Sequence, residues 1–239
     1  MCGRYALTSP PEAIRQLFGY PEAPNFPPRY NIAPTQPIPI VIAGREGGAP
    51  TRRLMLARWG FLPGFVKDPR DFPLIINARA ETVAEKASFR NALKRRRCLV
   101  PADAYYEWLK LSAGRRVERK PYLFRRADGA PMGLAGLWET YNGADGAEID
   151  TACILTTQAS LATAAVHDRM PAIVAPQDFA AWLDCDGVDA KEAAALLKPA
   201  PEDALDFFAI GPEIGRVTSD GPHLQEPLAG ALFSERAPT

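Results

Sequence analysis

The segment PEAPNFPPRYNIAPTQPIP, residues 21–39, holds seven prolines in nineteen residues and restricts the fold more than any other stretch of the chain. Each proline fixes φ and removes an amide donor, so the segment reads neither as helix nor as central strand. Its aromatics and the isolated Asn31 favour a long, stiff, ordered loop wrapped on a domain.

Around it, the predicted elements are short. Ser9-Pro10-Pro11-Glu12 opens a helix with Ser9 at the N-cap; Ile14, Leu17 and Phe18 form its apolar face and Gly19 stops it. Strand patterns fall at 38–43, 52–59, 73–77, 97–100, 105–109, 121–126, 132–138, 149–156 and 170–175. Helices are predicted over 80–86, 88–96 with Ser88 as cap, 160–166, 176–184 and 189–197. Strand and helix do not alternate, and neither GxGxxG nor GxxxxGK[ST] occurs, which disfavours a nucleotide-binding α/β fold. The expectation is an α+β fold: one domain over 1–239, with a strongly bent, barrel-like, mainly antiparallel sheet and short peripheral helices. Its core runs to about residue 228, with a short tail beyond.

At 47% hydrophobic and zero net charge the composition is that of a folded chain rather than a disordered one. No apolar run approaches the roughly 20 residues of a membrane span, and MCGRYALTSP has no apolar core of a secretion signal. A soluble cytoplasmic protein is expected. Cys2, Cys98, Cys153 and Cys185 are far apart, and with only His167 and His223 they form no zinc-ligand spacing. Neither a metal site nor a disulfide framework is expected.

The zero balance conceals an asymmetry. Residues 1–126 carry 23 Lys/Arg against 10 Asp/Glu, and residues 127–239 carry 5 against 18. Either the halves pair with each other or the basic half meets a polyanion. Clusters at Arg90, Lys94, Arg95, Arg96 and Arg97, and at Arg115, Arg116, Arg119 and Lys120, are of the kind that attracts phosphates, though such runs also serve as solvated faces.

Several single residues admit a chemical reading beside a structural one. Removal of Met1 would leave Cys2 with a thiol and an α-amine on adjacent carbons. That amine, with a reference pKa near 8, is uncharged roughly 300-fold more often at neutral pH than a lysine. The pair can capture an aldehyde twice, as an imine and then as a thiazolidine ring; the alternative is an inert residue in a loose terminus. Glu107, in the apolar strand AYYEWLK, is either an outward-facing residue or a desolvated general acid/base. His167, in HDRMP, sits on a connection where functional groups collect, or is structural. Asn77 and Arg79 follow an apolar strand and either enter a cleft or cap the approach to a helix. Trp59 either stacks on a base or fills the core.

MCGRY at the start, RYNIAPTQ at 29–36, RWGFLP at 58–63, INARAET at 76–82, RCLVPADAYYEW at 97–108 and HDRMP at 167–171 occur in this order. Together they resemble the SOS-response-associated peptidase (SRAP) family of abasic-site sensors, from residue 1 to the stretch GRVTSDGPHLQEP that ends near 228. The resemblance implies a bent, barrel-like α+β domain with a basic groove for single-stranded DNA. It places catalytic roles on Cys2, Asn77, Glu107 and His167, and DNA contacts on Arg4, Pro34, Trp59, Gly60, Arg79, Thr156 and Arg169. It implies a monomer without cofactor, whose partner is single-stranded DNA containing abasic sites and whose product is a thiazolidine crosslink. Two alternatives stay open: a Cys2-dependent peptidase, limited at the extreme to removal of Met1, and a non-covalent single-stranded DNA-binding protein. One departure stands out. Where relatives often carry LIP and a further Trp after RWG, this chain has Phe61-Leu62-Pro63-Gly64-Phe65, so Phe65 keeps an apolar face without the indole donor.

Overall fold

Long runs of alternating or continuous apolar residues produce strands of up to eleven residues, and turn residues punctuate them. The computed structural model describes residues 2–113, 116–143 and 146–228. In chain order the first elements are β1 (Arg4–Leu7), α1 (Pro11–Phe18), β2 (Arg29–Ile32), β3 (Pro37–Glu46), β4 (Ala49–Trp59), β5 (Asn77–Arg79) and α2 (Arg90–Arg95). Next come β6 (Arg97–Ala102), β7 (Ala104–Ala113), β8 (Arg116–Arg126), β9 (Met132–Asn142) and β10 (Glu148–Gln158). The chain continues through α3 (Leu161–Ala164), β11 (Arg169–Pro171), β12 (Ile173–Val174), α4 (Phe179–Leu183), α5 (Ala190–Ala194) and β13 (Leu205–Ala209).

Five strands close a ring: β10 pairs with β4, β4 with β3, β3 with β6, β6 with β9, and β9 returns to β10. Only the β4–β10 contact in the ring is parallel. Closure removes the sheet edges that would otherwise be left unpaired. Neighbouring residues such as Ile40 and Val41, or Leu99 and Val100, are all buried, so these strands are covered on both faces. α1 and α4 supply part of that cover through Phe18 stacked on Phe179 at 5.0 Å. Gly133 lies beneath them, where a Cβ would meet the Phe179 ring at 2.6 Å; the absence of a side chain lets the helix settle on the barrel.

The second sheet, in the order β13-β8-β7-β1-β2, is wholly antiparallel. Its two faces have different partners. Tyr5 and Tyr105 belong to the main core shared with the barrel, whereas Ala6 and Tyr106 pack on Ile210, Ile214 and Leu224 of the C-terminal segment. Side chains alternate along β7, so Glu107 points the same way as Tyr105, toward the barrel. It is not outward-facing: it is 3% exposed.

The α+β, barrel-like and mainly antiparallel expectation holds, and local assignments move. The proline-rich segment contains β2, which forms the outer edge of the second sheet, the position that proline's missing donors permit. The strand predicted at 73–77 lies at Asn77–Arg79, and 80–86 forms turns instead of a helix. Ser9 does not cap α1. Its hydroxyl and amide, with the Thr8 amide, donate to Asp103 and tie β1 to the β6–β7 turn. Pro10 precedes the helix without a side-chain cap, while Gly19, at φ 67°, ends it as predicted. Ser88 does not cap α2 either; that helix starts after Phe89 with no side-chain cap. Arg115 and the tail beyond 228 lie outside the described residues.

Candidate active site

Each of the four residues proposed for chemistry arrives on a different segment. β1 pairs with β7 starting at Arg4↔Tyr106, which sets Cys2, just ahead of β1, beside the Glu107 end of β7. β5 joins β10 in parallel at Ile154↔Asn77, putting Asn77 at the mouth of the barrel. There its side-chain amide donates to the Cys2 carbonyl at 2.8 Å. The turn between α3 and β11 brings His167 Nε2 to 3.9 Å from Glu107 Oε2, an ion-pair distance rather than a hydrogen bond. Cys2 is buried and its thiol donates to the Arg4 carbonyl at 3.5 Å. One site therefore gathers all four.

The electrostatics follow from the burial. Desolvation pushes the Glu107 carboxyl up to about 7, well above the ordinary carboxylate range, so it can take up and release a proton near neutrality. Burial, reinforced by the Glu107 charge, raises the Cys2 thiol well above its ordinary value, which keeps the sulfur protonated. His167 is lowered, chiefly by burial, and is neutral at physiological pH. Its Nδ1 lies 3.0 Å from both the Arg169 amide and an Asp168 carboxylate oxygen. Only the amide can donate to a neutral Nδ1, and Asp168 is 87% exposed to water, so the amide contact sets the tautomer. The proton then sits on Nε2, facing Glu107.

The residues expected to touch DNA divide into exposed and buried groups. Arg79 is exposed and Arg4 and Pro34 are half-buried. The Arg169 fork is taken up by Glu81, at 2.7 and 2.9 Å, and by the Thr156 carbonyl at 2.5 Å. Trp59 does not present its ring to a base: it is buried, edge-on to Tyr5 at 5.4 Å, with its indole N–H donating to the Ile76 carbonyl at 2.9 Å. Thr156 is buried as well. Both are core residues here because β4 and β10 meet at Ala152↔Trp59, inside the ring. Gly60, at φ 151°, follows at once; a Cβ there would lie 2.5 Å from Leu74 Cδ1. Thr35 sits at φ 72° in the turn after Pro34, its amide donating to the Trp59 carbonyl at 2.8 Å. Phe65 is 61% exposed and packs edge-on against Phe72.

The first basic cluster splits by function. Arg97 is buried, with its guanidinium on the carbonyls of Leu93, Trp182, Asp184 and Val188. Arg96 pairs with Glu139 over the Trp138 ring. Arg90, Lys94 and Arg95 are exposed.

Comparison with known proteins decides the family. A family model described as SOS response associated peptidase (SRAP) matches residues 1–217. The chain belongs to the SRAP family. This SRAP chain is 33% identical over 230 residues to the abasic site processing protein YoqW of Bacillus subtilis, covering 95% of this chain and 99% of the relative. It is 34% identical over 214 residues to the abasic site processing protein YobE of the same organism, covering 88% and 94%. A crystal structure of a protein from Bacteroides thetaiotaomicron superposes with a TM-score of 0.82 over 95% of this chain and all of that one; at 23% identity it shows a shared fold.

Sequence reasoning passed over two residues of the SRAP site, Tyr5 and Tyr105. Both are buried, both have hydroxyls without a hydrogen-bond partner among the described residues, and both lie within electrostatic range of Cys2. The available signal was spacing: Tyr105 is two residues before Glu107 on one strand and must share its face.

Proposed function

We propose that this SRAP chain recognises abasic sites in single-stranded DNA and joins them covalently to itself through Cys2, once Met1 has been removed. The names of the relatives, abasic site processing proteins, support the substrate. The observation that carries the chemistry is Asn77 holding the Cys2 backbone beside the buried Glu107 carboxyl, with His167 3.9 Å from it.

The open-chain form of the abasic sugar presents an aldehyde at C1′. Glu107 speeds ring opening by moving a proton between the ring oxygen and O1′. The Cys2 α-amine donates its lone pair to C1′, forming the C–N bond, while the carbonyl π pair goes to O1′ and takes a proton. Glu107 protonates that oxygen, which leaves as water, and the two protons the nitrogen sheds balance the one taken up by O1′ and the one given by Glu107, leaving the imine. The thiol sulfur then adds to C1′, its proton passes to nitrogen, and the thiazolidine closes. Amine, thiol and aldehyde become one ring and one water, so the balance calls for no cofactor. His167 relays protons to and from Glu107. Because burial keeps the thiol protonated, the amine acts first and the sulfur second. The same burial counts against a free thiolate attacking a peptide.

The protein is proposed to act as a cytoplasmic monomer with 1–239 as one domain; among the described residues no helix is long and apolar enough to cross a membrane. Arg4, Arg79 and the exposed basic residues would track the phosphates. Incubating wild type and Cys2→Ala with an abasic oligonucleotide, followed by denaturing electrophoresis, tests the reading. A denaturant-stable adduct with wild type alone is expected. Equal retention by both proteins, or by neither, contradicts it.

A further inference from the structure

We propose that the Tyr105 hydroxyl is a further catalytic group of this site, donating a hydrogen bond to the sugar's O1′ while the Cys2 amine adds to C1′. The proposal rests on the crosslinking function above and adds a residue to it.

An unpartnered buried hydroxyl is unusual, since burial removes its water partners and puts nothing in their place. Among the described residues, Tyr5 Oη, Tyr105 Oη and Asn77 Oδ1 are buried without a hydrogen-bond partner; Asn77 bonds the Cys2 carbonyl through its amide, and both tyrosines lie in electrostatic range of the Cys2 thiol. Tyr105 and Asn77 come from β7 and β5, whose ladders with β8 and β10 run without a register shift, so loose local structure does not account for their unpartnered atoms. A substrate rich in oxygen would satisfy them.

Tyr105 is placed better than Tyr5. It shares a face of β7 with Glu107, two residues away, and it interacts electrostatically with both the Cys2 thiol and the Glu107 carboxyl. Tyr5, its register partner on β1, interacts with Cys2 and with Arg29. Rigidity also favours Tyr105. Its ring stacks on Phe124 at 4.8 Å and 6°, and Phe124 stacks in turn on Phe207 at 5.2 Å. The hydroxyl is thereby held in place before substrate arrives, the condition under which a donor aimed at developing negative charge is most effective. Burial, together with the negative forms of Cys2 and Glu107, holds the phenol protonated, so it remains a donor at every working pH. It gives up no proton: negative charge grows on O1′ as the C–N bond forms, the Tyr105 O–H stabilises it, and Glu107 delivers the proton that makes water the leaving group.

The test is Tyr105→Phe, which removes one oxygen from a buried ring, with Tyr20→Phe as the comparison, a buried tyrosine whose electrostatic neighbours are Glu22, Arg15 and Glu12 rather than Cys2. Three quantities are measured: the single-turnover rate of adduct formation across pH, the dissociation constant for an oligonucleotide bearing tetrahydrofuran (an abasic analogue without an aldehyde), and the melting temperature. Tyr105→Phe is expected to slow adduct formation by about 10–100-fold. Its affinity for the analogue should be unchanged, because that ligand has no O1′, and its melting temperature should equal or exceed wild type. Tyr20→Phe should stay within about threefold in rate. A Tyr105→Phe rate within twofold of wild type at every pH overturns the proposal, as does a rate loss matched by an equal loss of analogue binding. If wild type itself gives no adduct, the crosslinking function fails and this inference fails with it; a normal wild-type adduct with an unimpaired Tyr105→Phe removes this inference alone.

Discussion

Glu107 sets the pH behaviour of the site. Burial raises its carboxyl from the ordinary carboxylate range to about 7, so between those values the folded chain binds more protons than the unfolded one. Stability from this group is therefore complete below the unfolded value and declines as pH rises through 7, by up to about 3 kcal/mol. Glu107→Gln removes the titration. The variant's melting temperature should exceed wild type at pH 8 and match it near pH 4.5; a constant difference across that range would show that the carboxyl is not the titrating group. Wild-type crosslinking should be fastest near neutrality, where Glu107 can both give and take a proton, and the variant should lose that optimum along with most of its rate. Asn77 makes a separate claim. Asn77→Ala removes the 2.8 Å bond to the Cys2 carbonyl. A stability loss of about 1 kcal/mol is expected, measured by urea denaturation. Crosslinking should slow at least tenfold, because the terminus is no longer aligned.

At the scale of elements, the C-terminal segment belongs to the site's support. The Asn31 side-chain amide donates to the carbonyls of Ile214, Arg216 and Ser219, and the Tyr30 amide donates to Asp220. These bonds fasten the segment over the Tyr106 face of the sheet that carries Glu107 on its other face. Asn31→Ala should destabilise the protein by about 2–3 kcal/mol. Hydrogen exchange should then speed up over 210–225 before it does so in the barrel; uniform loss of protection would contradict the clamp. The sequence made some of this legible and not the rest. Alternation revealed most strands because burial on one or both faces dictates their residues, and Gly19 marked a helix end because φ 67° favours glycine. Cap signals failed at Ser9, whose hydroxyl binds Asp103 from 94 residues away in sequence, a tertiary contact that no local window contains. β2 was hidden among prolines because only its place at a sheet edge makes it possible. Cys2, Asn77, Glu107 and His167 were legible as a set through family motifs. The burial of Cys2 was not, and for Glu107 it was only one of two readings, since it depends on the second sheet being covered on both faces. For Trp59 the core reading holds, because pairing of β4 with β10 puts it inside the ring, a contact no local window contains.

The whole molecule joins a basic half to an acidic one, and each reading of that asymmetry describes part of it. Arg45–Asp186, Arg96–Glu139 and Arg169–Glu81 cross between the halves. Arg79, Arg90, Lys94 and Arg95 remain exposed and available to phosphates. Affinity for single-stranded DNA should therefore fall as salt rises, and Arg79→Ala should lower the slope of log affinity against log salt by about 0.7, read by fluorescence anisotropy. An unchanged slope would remove Arg79 from the interface. Crosslinking depends on a free Cys2 amine and thiol closing on one sugar carbon. Intact mass measured under denaturing conditions, after incubation with an abasic single-stranded oligonucleotide, tests this most directly. The predicted species has the mass of the chain lacking Met1 plus the oligonucleotide minus one water, and Cys2→Ala gives no stable counterpart. An adduct on a chain that retains Met1, or one formed equally by Cys2→Ala, would contradict the account.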